Sequence, residues 1–226
     1  MINFKEDLEK EGIILNDSME SSFDLYYKEL ISYNEKVNLT RITEKEEVYY
    51  LHFYDSLMVY KGYKNFKAET KVLDIGSGAG FPGIPLKIVF PLISLTIVEA
   101  TRKKIDFLNH IQEELHLKDV ALYHMRAEDF MEKEKYDLIT TRAVASLKDL
   151  SLYTIPFLKV GGIFIAMKSA TQEKEIEEAK ASINKMGGIM KETIPYKVKD
   201  RDYLLFVMEK IHKSPQGYPR VLHRSK

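Results

Sequence analysis

The stretch "KVLDIGSGAGFPGIPL" at residues 71–86 joins a short apolar run to a glycine-rich turn and then to a second apolar run. The first run predicts a buried strand at residues 72–75, and the second predicts a short helix that ends by Pro91. Open α/β sheets bind ligands at such a turn, because the N–H groups at the start of the helix point at the bound group. The stretch therefore predicts an α/β sheet with a ligand site at its glycine turn.

The rest of the chain after residue 71 alternates short apolar runs with longer amphipathic ones, which predicts βαβ units and a parallel sheet. Seven strands are predicted, at residues 72–75, 95–99, 120–124, 137–141, 162–168, 189–198 and 203–209. The clearest helical patterns between them cover residues 102–115 and 172–186. Only "KDRD" separates the last two strands, so they must form an antiparallel hairpin. This order predicts a class I S-adenosylmethionine-dependent methyltransferase sheet, which is Rossmann-like, whereas a dinucleotide fold is expected to end on a parallel strand.

The N-terminal part of the chain is helical in pattern, with helices predicted at residues 4–14, 18–37 and about 44–57. We therefore predict three parts. They are an N-terminal helical cap over residues 1–67, a methyltransferase domain over residues 68–210, and a basic C-terminal tail over residues 211–226.

Composition narrows the functional class. A chain of 226 residues with 45% hydrophobic content can bury a sizeable core, and its formal net charge of zero gives no overall field that attracts nucleic acid. Residues 210–226 nevertheless carry five bases and no acid. The lack of cysteine excludes disulfides and thiolate metal sites, and we predict no metal. No apolar run is long enough to span a bilayer, so we expect a cytoplasmic protein, a monomer, with no membrane partner.

Two motifs overlap in the glycine turn. The GxGxxG spacing of dinucleotide-binding proteins is matched by Gly78, Gly80 and Gly83. The DxGxGxG spacing of methyltransferases is matched by Asp74, Gly76, Gly78 and Gly80. Glu99, at the end of the second predicted strand, suits the ribose hydroxyls of NAD and of S-adenosylmethionine alike. Asp74 would repel a pyrophosphate but attract the cationic amino group of a methionine moiety. Together with the terminal hairpin, Asp74 favours S-adenosylmethionine.

Two further segments lie at the same predicted sheet edge. Glu128 or Asp129 could meet the adenine amino group, although acids after a strand are often helix N-terminal charges. Arg142 follows the fourth strand, where substrate and methyl donor are expected to meet. The chain has neither an Asn/Asp-Pro-Pro-aromatic clamp for exocyclic amines nor a cysteine for methylating pyrimidine carbons. Guanine N7 needs neither, because its in-plane lone pair carries no proton and requires only placement and electrostatic support.

Six segments together resemble the family of bacterial 16S ribosomal RNA guanine-N7 methyltransferases, RsmG or glucose-inhibited division protein B. They are "NEKVNLTRI" at 34–42, "HFYDSL" at 52–57, "VLDIGSGAGFPGIPL" at 72–86, "RAE" at 126–128, "TTRAVASL" at 140–147 and "YPR" at 218–220. The resemblance covers essentially the whole chain. It implies methyl transfer from S-adenosylmethionine to N7 of a guanine in the decoding region of 16S ribosomal RNA, with the small ribosomal subunit or its assembly intermediate as partner.

The resemblance also implies roles for individual residues. Cofactor contacts carry over to Gly76, Phe81, Glu99, Ala100, Thr101, Ala127, Glu128 and Arg142, which join Asp74, Gly78 and Gly80 of the turn. The predicted lining of the pocket mouth is Asn38, Arg41, His52, Asp55 and Ser56, with Arg142, Asn38 and His52 as catalytic candidates. Predicted RNA contacts are Arg41, Arg102, Lys103, Lys104, Arg220 and Arg224.

Some alternatives stay open at the level of sequence. On the residues alone, Asn38 is also consistent with a helix cap and His52 with a packing histidine. Ala100 stands where the family often has serine, and the tail lacks the Gly/Pro/Lys-rich ending that commonly follows "YPR". Other functions compatible with the pattern are a methyltransferase of the same fold acting on another RNA, a small molecule or a protein, a nucleotide-binding regulator without catalysis, and a dinucleotide-dependent oxidoreductase.

Overall fold

The computed structural model describes residues 3–142 and 145–218, and within them seven strands form one sheet. The strands are β1 (Lys71–Ile75), β2 (Ser94–Glu99), β3 (Val120–His124), β4 (Tyr136–Arg142), β5 (Leu158–Ser169), β6 (Gly188–Val198) and β7 (Arg201–Lys210). Their order across the sheet is β3-β2-β1-β4-β5-β7-β6, with β1 to β5 parallel and β7 antiparallel to both of its neighbours. The predicted class I methyltransferase sheet with its terminal hairpin is confirmed.

Helices cover both faces of this sheet. They are α1 (Phe4–Lys10), α2 (Asp17–Asn34), α3 (Lys45–Val48), a π-helix (Tyr49–Tyr54), α4 (Asp55–Leu57), α5 (Val59–Gly62), α6 (Gly83–Val89), α7 (Arg102–Glu114), α8 (Leu147–Thr154) and α9 (Glu175–Lys185). The central strand β1 is buried along four of its five residues, because helices on both sides exclude water from it.

Several observed boundaries differ from the predicted ones for local reasons. The first helix ends at Lys10 instead of residue 14, because Gly12 has a φ of +81° and the N–H of Ile13 turns back to the Leu8 carbonyl. The hairpin turn is shorter than "KDRD", since Arg201 and Asp202 belong to β7. Arg142 is the last residue of β4 and does not follow it.

The hydrophobic core lies in two layers. Side chains alternate along the strands, so that Val72 and Leu138 face one layer while Leu73 and Ile139 face the other. The first layer includes buried aromatic side chains of the N-terminal helices and the glycine turn, among them Phe23, Tyr26, Phe53, Phe81 and Phe107. Full burial of such a side chain contributes roughly 1.5–3 kcal/mol. The N-terminal helices therefore share a core with the sheet, while the division of the chain at residues 67 and 210 stays a prediction.

The structure shows no membrane-spanning element in the ranges it describes, where no helix is long and apolar enough to cross a bilayer.

Candidate active site

An open cleft of about 360 Å³ lies at the carboxyl ends of β1, β2 and β3. Its lining is Ile75, Gly76, Val98, Glu99, Ala100, Lys104, Met125, Arg126, Ala127, Glu128, Ala145 and Tyr153. The structure thus brings together five residues predicted to bind the cofactor, namely Gly76, Glu99, Ala100, Ala127 and Glu128. The location agrees with the general rule that parallel α/β sheets bind ligands beyond the carboxyl ends of their strands.

Asp74 organises the glycine turn from below. Its side chain is fully buried, and its Oδ2 accepts hydrogen bonds from the Ser77 hydroxyl at 2.5 Å and the Gly83 N–H at 2.8 Å. Burial raises the pKa of Asp74 to about 6, against the effect of these hydrogen bonds. Its Oδ1 is buried without a hydrogen-bond partner. The observed role of Asp74 is to hold the turn, and its attraction for a methionine amino group stays a prediction.

Glu99 braces the turn from β2. Its Oε2 accepts from the N–H of Gly78 at 3.0 Å, and its Oε1 accepts from the N–H of Thr101 at 2.9 Å. Gly78 has a φ of +64°, and a Cβ built on it would meet no heavy atom within 4 Å. Because the turn faces open space at Gly78 and a carboxylate stands beside it, the cleft has the room and the acceptor that a ribose and its attached groups need.

The N-terminal helices hold the other side of the turn. The Tyr26 hydroxyl of α2 donates to the carbonyl of Ala79, and the Tyr26 ring stacks on Phe81 with centroids 5.6 Å apart. Gly80 has a φ of +103°, and a Cβ on it would lie 2.5 Å from the Tyr26 oxygen. The helical cap thus fixes the shape of the turn, and only glycine fits at residue 80.

Arg142 stands at the carboxyl end of β4 and is bound by the segment around the π-helix. Its Nη1 donates to the Leu51 carbonyl at 3.2 Å and to Asp55 Oδ2 at 3.1 Å, and its Nη2 donates to His52 Nδ1 at 3.2 Å. Its guanidinium carbon lies 4.8 Å from the centre of the Phe81 ring. These contacts fix the plane of the guanidinium, and within residues 3–142 and 145–218 the Nε–H and one Nη2 hydrogen have no partner and suit a ligand.

The π-helix makes this arrangement possible. The N–H of Asp55 donates to the carbonyls of Tyr50 and His52 and skips that of Leu51, which instead accepts from Arg142. The periodicity of the sequence predicted a helix over residues 44–57 but not its π-helical middle. Single-turn π segments inside α-helices occur frequently at functional sites.

His52 is a buried, neutral imidazole. Its Nδ1 accepts from Arg142, which leaves the proton on Nε2, where it points at the Thr40 hydroxyl 2.9 Å away. Burial, aided by the charge of Arg142, lowers the pKa of His52 to about 3. The ring also stacks on Phe81 with centroids 4.5 Å apart. His52 therefore orients Arg142 and remains neutral at physiological pH.

Asp55 completes the arginine site from beneath. It is 4% exposed, and its Oδ1 accepts from the Tyr196 hydroxyl at 2.7 Å. Burial raises the pKa of Asp55, while the charge of Arg142 and the hydrogen bond from Tyr196 oppose that rise. Asp55 and Ser56 were predicted at the pocket mouth, yet both are buried, and Ser56 donates its hydroxyl to the His52 carbonyl. They support the site from behind because the helix that carries them packs in the core.

The "NLTRI" segment contacts the site through Thr40, which was not predicted as a site residue. Asn34 Oδ1 accepts from the N–H groups of Leu39 and Thr40 at 2.7 and 3.0 Å, which folds the loop toward His52. Thr40 then contacts His52 directly. Asn38 and Arg41 are exposed on this loop. Thr40 could have been predicted from the sequence, because its hydroxyl lies between the predicted site residues Asn38 and Arg41.

The predicted RNA-binding residues fall into separate regions. Arg102 and Lys103 are exposed at the start of α7, where Arg102 pairs with Asp106 at 2.9 Å, and Lys104 lines the cleft. Arg220 and Arg224 lie outside the described residues. Lys210, which the charge count included in the basic end of the chain, is fully buried with its ammonium on the Pro156 and Leu158 carbonyls, so it cannot face RNA.

Several residues that line the cleft were not predicted as site residues. Met125 and Arg126 directly precede the predicted pair Ala127 and Glu128, so their proximity along the chain was a usable signal. Tyr153 comes from α8, and no motif pointed to it because the crossover that brings it to the cleft is a tertiary feature.

Comparison with known proteins agrees with this geometry. The model of the GidB family, described as rRNA small subunit methyltransferase G, matches residues 19–204. The chain belongs to this family. It is therefore a methyltransferase, and its cofactor is S-adenosylmethionine.

Similar proteins support the assignment across the chain. Proteins called ribosomal RNA small subunit methyltransferase G from Bacillus cereus and Bacillus thuringiensis are each 46% identical over 225 residues, covering 96% of this chain and 93% of the relative. Among solved structures, TYW2 from M. jannaschii in complex with AdoMet has a TM-score of 0.56 and 19% identity, covering 70% of this chain and 77% of that chain. The [4+2]-cyclase SpnF has a TM-score of 0.58 and 13% identity, covering 72% and 81%. A likeness that includes a cyclase shows the fold and not the reaction.

Proposed function

We propose that this protein transfers a methyl group from S-adenosylmethionine to N7 of a guanine in 16S ribosomal RNA. The observation that carries the proposal is the fixed Arg142 guanidinium beside the glycine turn, with a neutral His52 behind it. Neither ring nitrogen of His52 is free to take up a proton, because Nδ1 accepts from Arg142 and Nε2 faces the Thr40 hydroxyl, so this pair offers hydrogen-bond donors and positioning without a general base. Guanine N7 attacks with a lone pair that carries no proton, so it fits a site of this kind.

The residues of the chain divide the work of binding and orientation. The bound cofactor supplies an electrophilic sulfonium methyl group. Glu99 would accept hydrogen bonds from the ribose hydroxyls, Ala127 and Glu128 would meet the adenine, and Gly76, Gly78 and Phe81 would border the methionine moiety. The free donors of Arg142 suit the cofactor carboxylate, an RNA phosphate or guanine O6. Asn38, exposed on the loop beside His52, would contact the incoming nucleotide.

Replacing Glu99 with alanine tests the cofactor site. We expect the binding free energy of S-adenosylhomocysteine to become weaker by about 1.5–3 kcal/mol, because hydrogen bonds to a charged group are lost. The Gly78 and Thr101 N–H groups lose their acceptor as well, so Glu99→Gln, which keeps one acceptor oxygen, is the matched control and is expected to lose less. Isothermal titration calorimetry measures both variants. Unchanged affinity in Glu99→Ala would remove Glu99 from the site.

The RNA surface is proposed to surround the cleft, with Lys103, Lys104 and Arg126 on one side and Arg41 on the loop beside His52. Substituting Lys103 or Lys104 with glutamine is expected to weaken binding to subunit RNA and to reduce the slope of log affinity against log salt by roughly one unit. The control is Lys191→Gln, which removes a cation of the edge strand β6 that pairs with Glu209 of β7. This variant is expected to keep the wild-type slope. Identical slopes for all the variants would assign these lysines to solvent.

The activity itself is tested by incubating the protein with labelled S-adenosylmethionine and small ribosomal subunits that lack the methylation. We expect label in 16S RNA at N7 of one guanine of the decoding region, located by cleavage at the modified base. Comparing naked RNA, assembly intermediates and complete subunits identifies the substrate form. Label on a pyrimidine, an exocyclic amine or protein would contradict the proposal.

We propose further that the protein acts as a monomer in the cytoplasm.

A further inference from the structure

A buried lysine beside the site contacts Ala145, one of the residues that line the cleft. Lys168, near the end of β5, has a side chain that is 3% exposed and forms an ion pair with Glu175 at 3.0 Å. Its ammonium also donates to the carbonyl of Ala145 at 2.6 Å. Removing a charge from water is costly unless the charge is paired and hydrogen-bonded. The buried ammonium of Lys168 therefore needs both Glu175 and the Ala145 carbonyl.

Glu175, at the start of α9, reaches the same segment of chain from the other side. Its Oε2 accepts from the N–H of Leu147 at 2.7 Å, and its Oε1 accepts from the Gln172 side chain at 2.7 Å. Burial acts to raise the pKa of Glu175, but the hydrogen bonds from Lys168 and the Leu147 N–H outweigh it and hold the pKa below its usual range. Glu175 is therefore ionised at neutral pH and holds both partners.

The two side chains grip the start of α8 at adjacent points. Lys168 binds the carbonyl of Ala145, and Glu175 binds the N–H of Leu147, the first residue of α8. Ala145 and Tyr153, one at the entrance of α8 and one near its end, both line the cleft. An ion pair between β5 and α9 thus contacts the chain segment that carries Ala145 of the cleft wall.

We propose that Lys168 and Glu175 are positioning residues that hold this wall of the cleft for cofactor binding and methyl transfer. The part concerning methyl transfer rests on the proposed function. Arg142 pairs in register with Met167, so the strand that ends in Arg142 runs beside the strand that carries Lys168. Loss of the pair would let the start of α8 shift, and a displacement of about 1 Å in an active site can cost a hundredfold in rate.

Lys168→Met tests the proposal against a matched control. Lys210→Met removes another buried lysine that donates to two backbone carbonyls, but Lys210 contacts the start of β5, away from the cleft. Both variants are expected to melt at lower temperature. Well below both melting temperatures, Lys168→Met is expected to bind S-adenosylhomocysteine about tenfold more weakly in calorimetry, while Lys210→Met binds like the wild type. Wild-type affinity in folded Lys168→Met, or equal losses in both variants, would overturn the proposal.

Variants of Glu175 keep the test decisive if Lys168→Met does not fold. The Glu175 side chain is 20% exposed, which makes its replacement easier to tolerate. Glu175→Leu loses the acceptor for the Leu147 N–H and is expected to bind S-adenosylhomocysteine about tenfold more weakly, whereas Glu175→Gln keeps an acceptor and loses less. Wild-type affinity in Glu175→Leu would refute the positioning role. These assays contain no RNA, so a wild-type protein that binds S-adenosylhomocysteine but fails to methylate subunits overturns the proposed function instead.

Discussion

Replacing Arg142 with lysine is expected to lower the single-turnover rate of methyl transfer about 100-fold while the protein stays folded. The arginine side chain is held by Leu51, His52 and Asp55 and stacks on Phe81. A lysine ammonium keeps the charge, but it is a point charge that cannot fill a planar, forked site. The measurement is methylation of small subunits under excess enzyme, with affinity for S-adenosylhomocysteine and the melting temperature determined in parallel.

The control for this experiment is Arg201→Lys, which makes the same exchange at an exposed residue of the terminal hairpin. It is expected to retain the wild-type rate, and full activity in Arg142→Lys would refute a geometric role for the guanidinium. The wild-type rate is also expected to stay constant from pH 7 to 9, because the low pKa of His52, about 3, keeps it neutral and the pKa of Asp74, about 6, lies below this range. A rate that still rises with pH above 7 would instead indicate a general base, with His52 and His124 as the candidates.

The sheet was predictable because its signals are local. The strands β1, β2, β4 and β5 contain short apolar runs, and the brief connection before β7 forces an antiparallel hairpin. The π-helix could not be predicted this way, because Tyr49–Tyr54 has the same apolar character as an ordinary helix. Its wider turn is set by tertiary contacts, with Arg142 on one side and the core on the other.

The site was predictable wherever a motif lies at the end of a strand. Glu99 was predicted from its place at the end of the second strand and Glu128 from its place after the third, and the structure brings both to the cleft. What sequence reasoning could not supply was the buried support, such as the contact from Tyr196 to Asp55 and that from Lys168 to Ala145. These pairs are separated widely along the chain, and neither partner stands in a spacing that periodicity can detect. The remaining sequence signal for this support was a charged residue in an otherwise apolar strand, such as Lys168 in β5.

Replacing Gly80 with alanine is expected to lower the free energy of unfolding by about 3–5 kcal/mol, which is large for a single methyl group. A Cβ at this residue would lie 2.5 Å from the Tyr26 oxygen and 2.7 Å from the Ile84 side chain, both buried, and the φ of +103° is itself strained for alanine. Urea denaturation followed by far-UV circular dichroism measures the loss. Because the turn must deform, we also expect affinity for S-adenosylhomocysteine to fall at least about tenfold.

Gly78→Ala separates backbone strain from this clash. Gly78 also has a positive φ, +64°, but a Cβ there meets no protein atom, so alanine is expected to cost only about 1–2 kcal/mol. Tyr26→Phe removes the oxygen nearest to the new methyl group, and the double variant with Gly80→Ala is expected to recover part of the lost stability beyond additivity. Equal costs at the two glycines would show that backbone strain alone requires glycine in the turn, and strict additivity with Tyr26→Phe would remove the Tyr26 oxygen as the cause of the larger cost at Gly80. A larger cost at Gly80 with partial rescue means that α2 of the helical cap sets the shape of the turn through Tyr26.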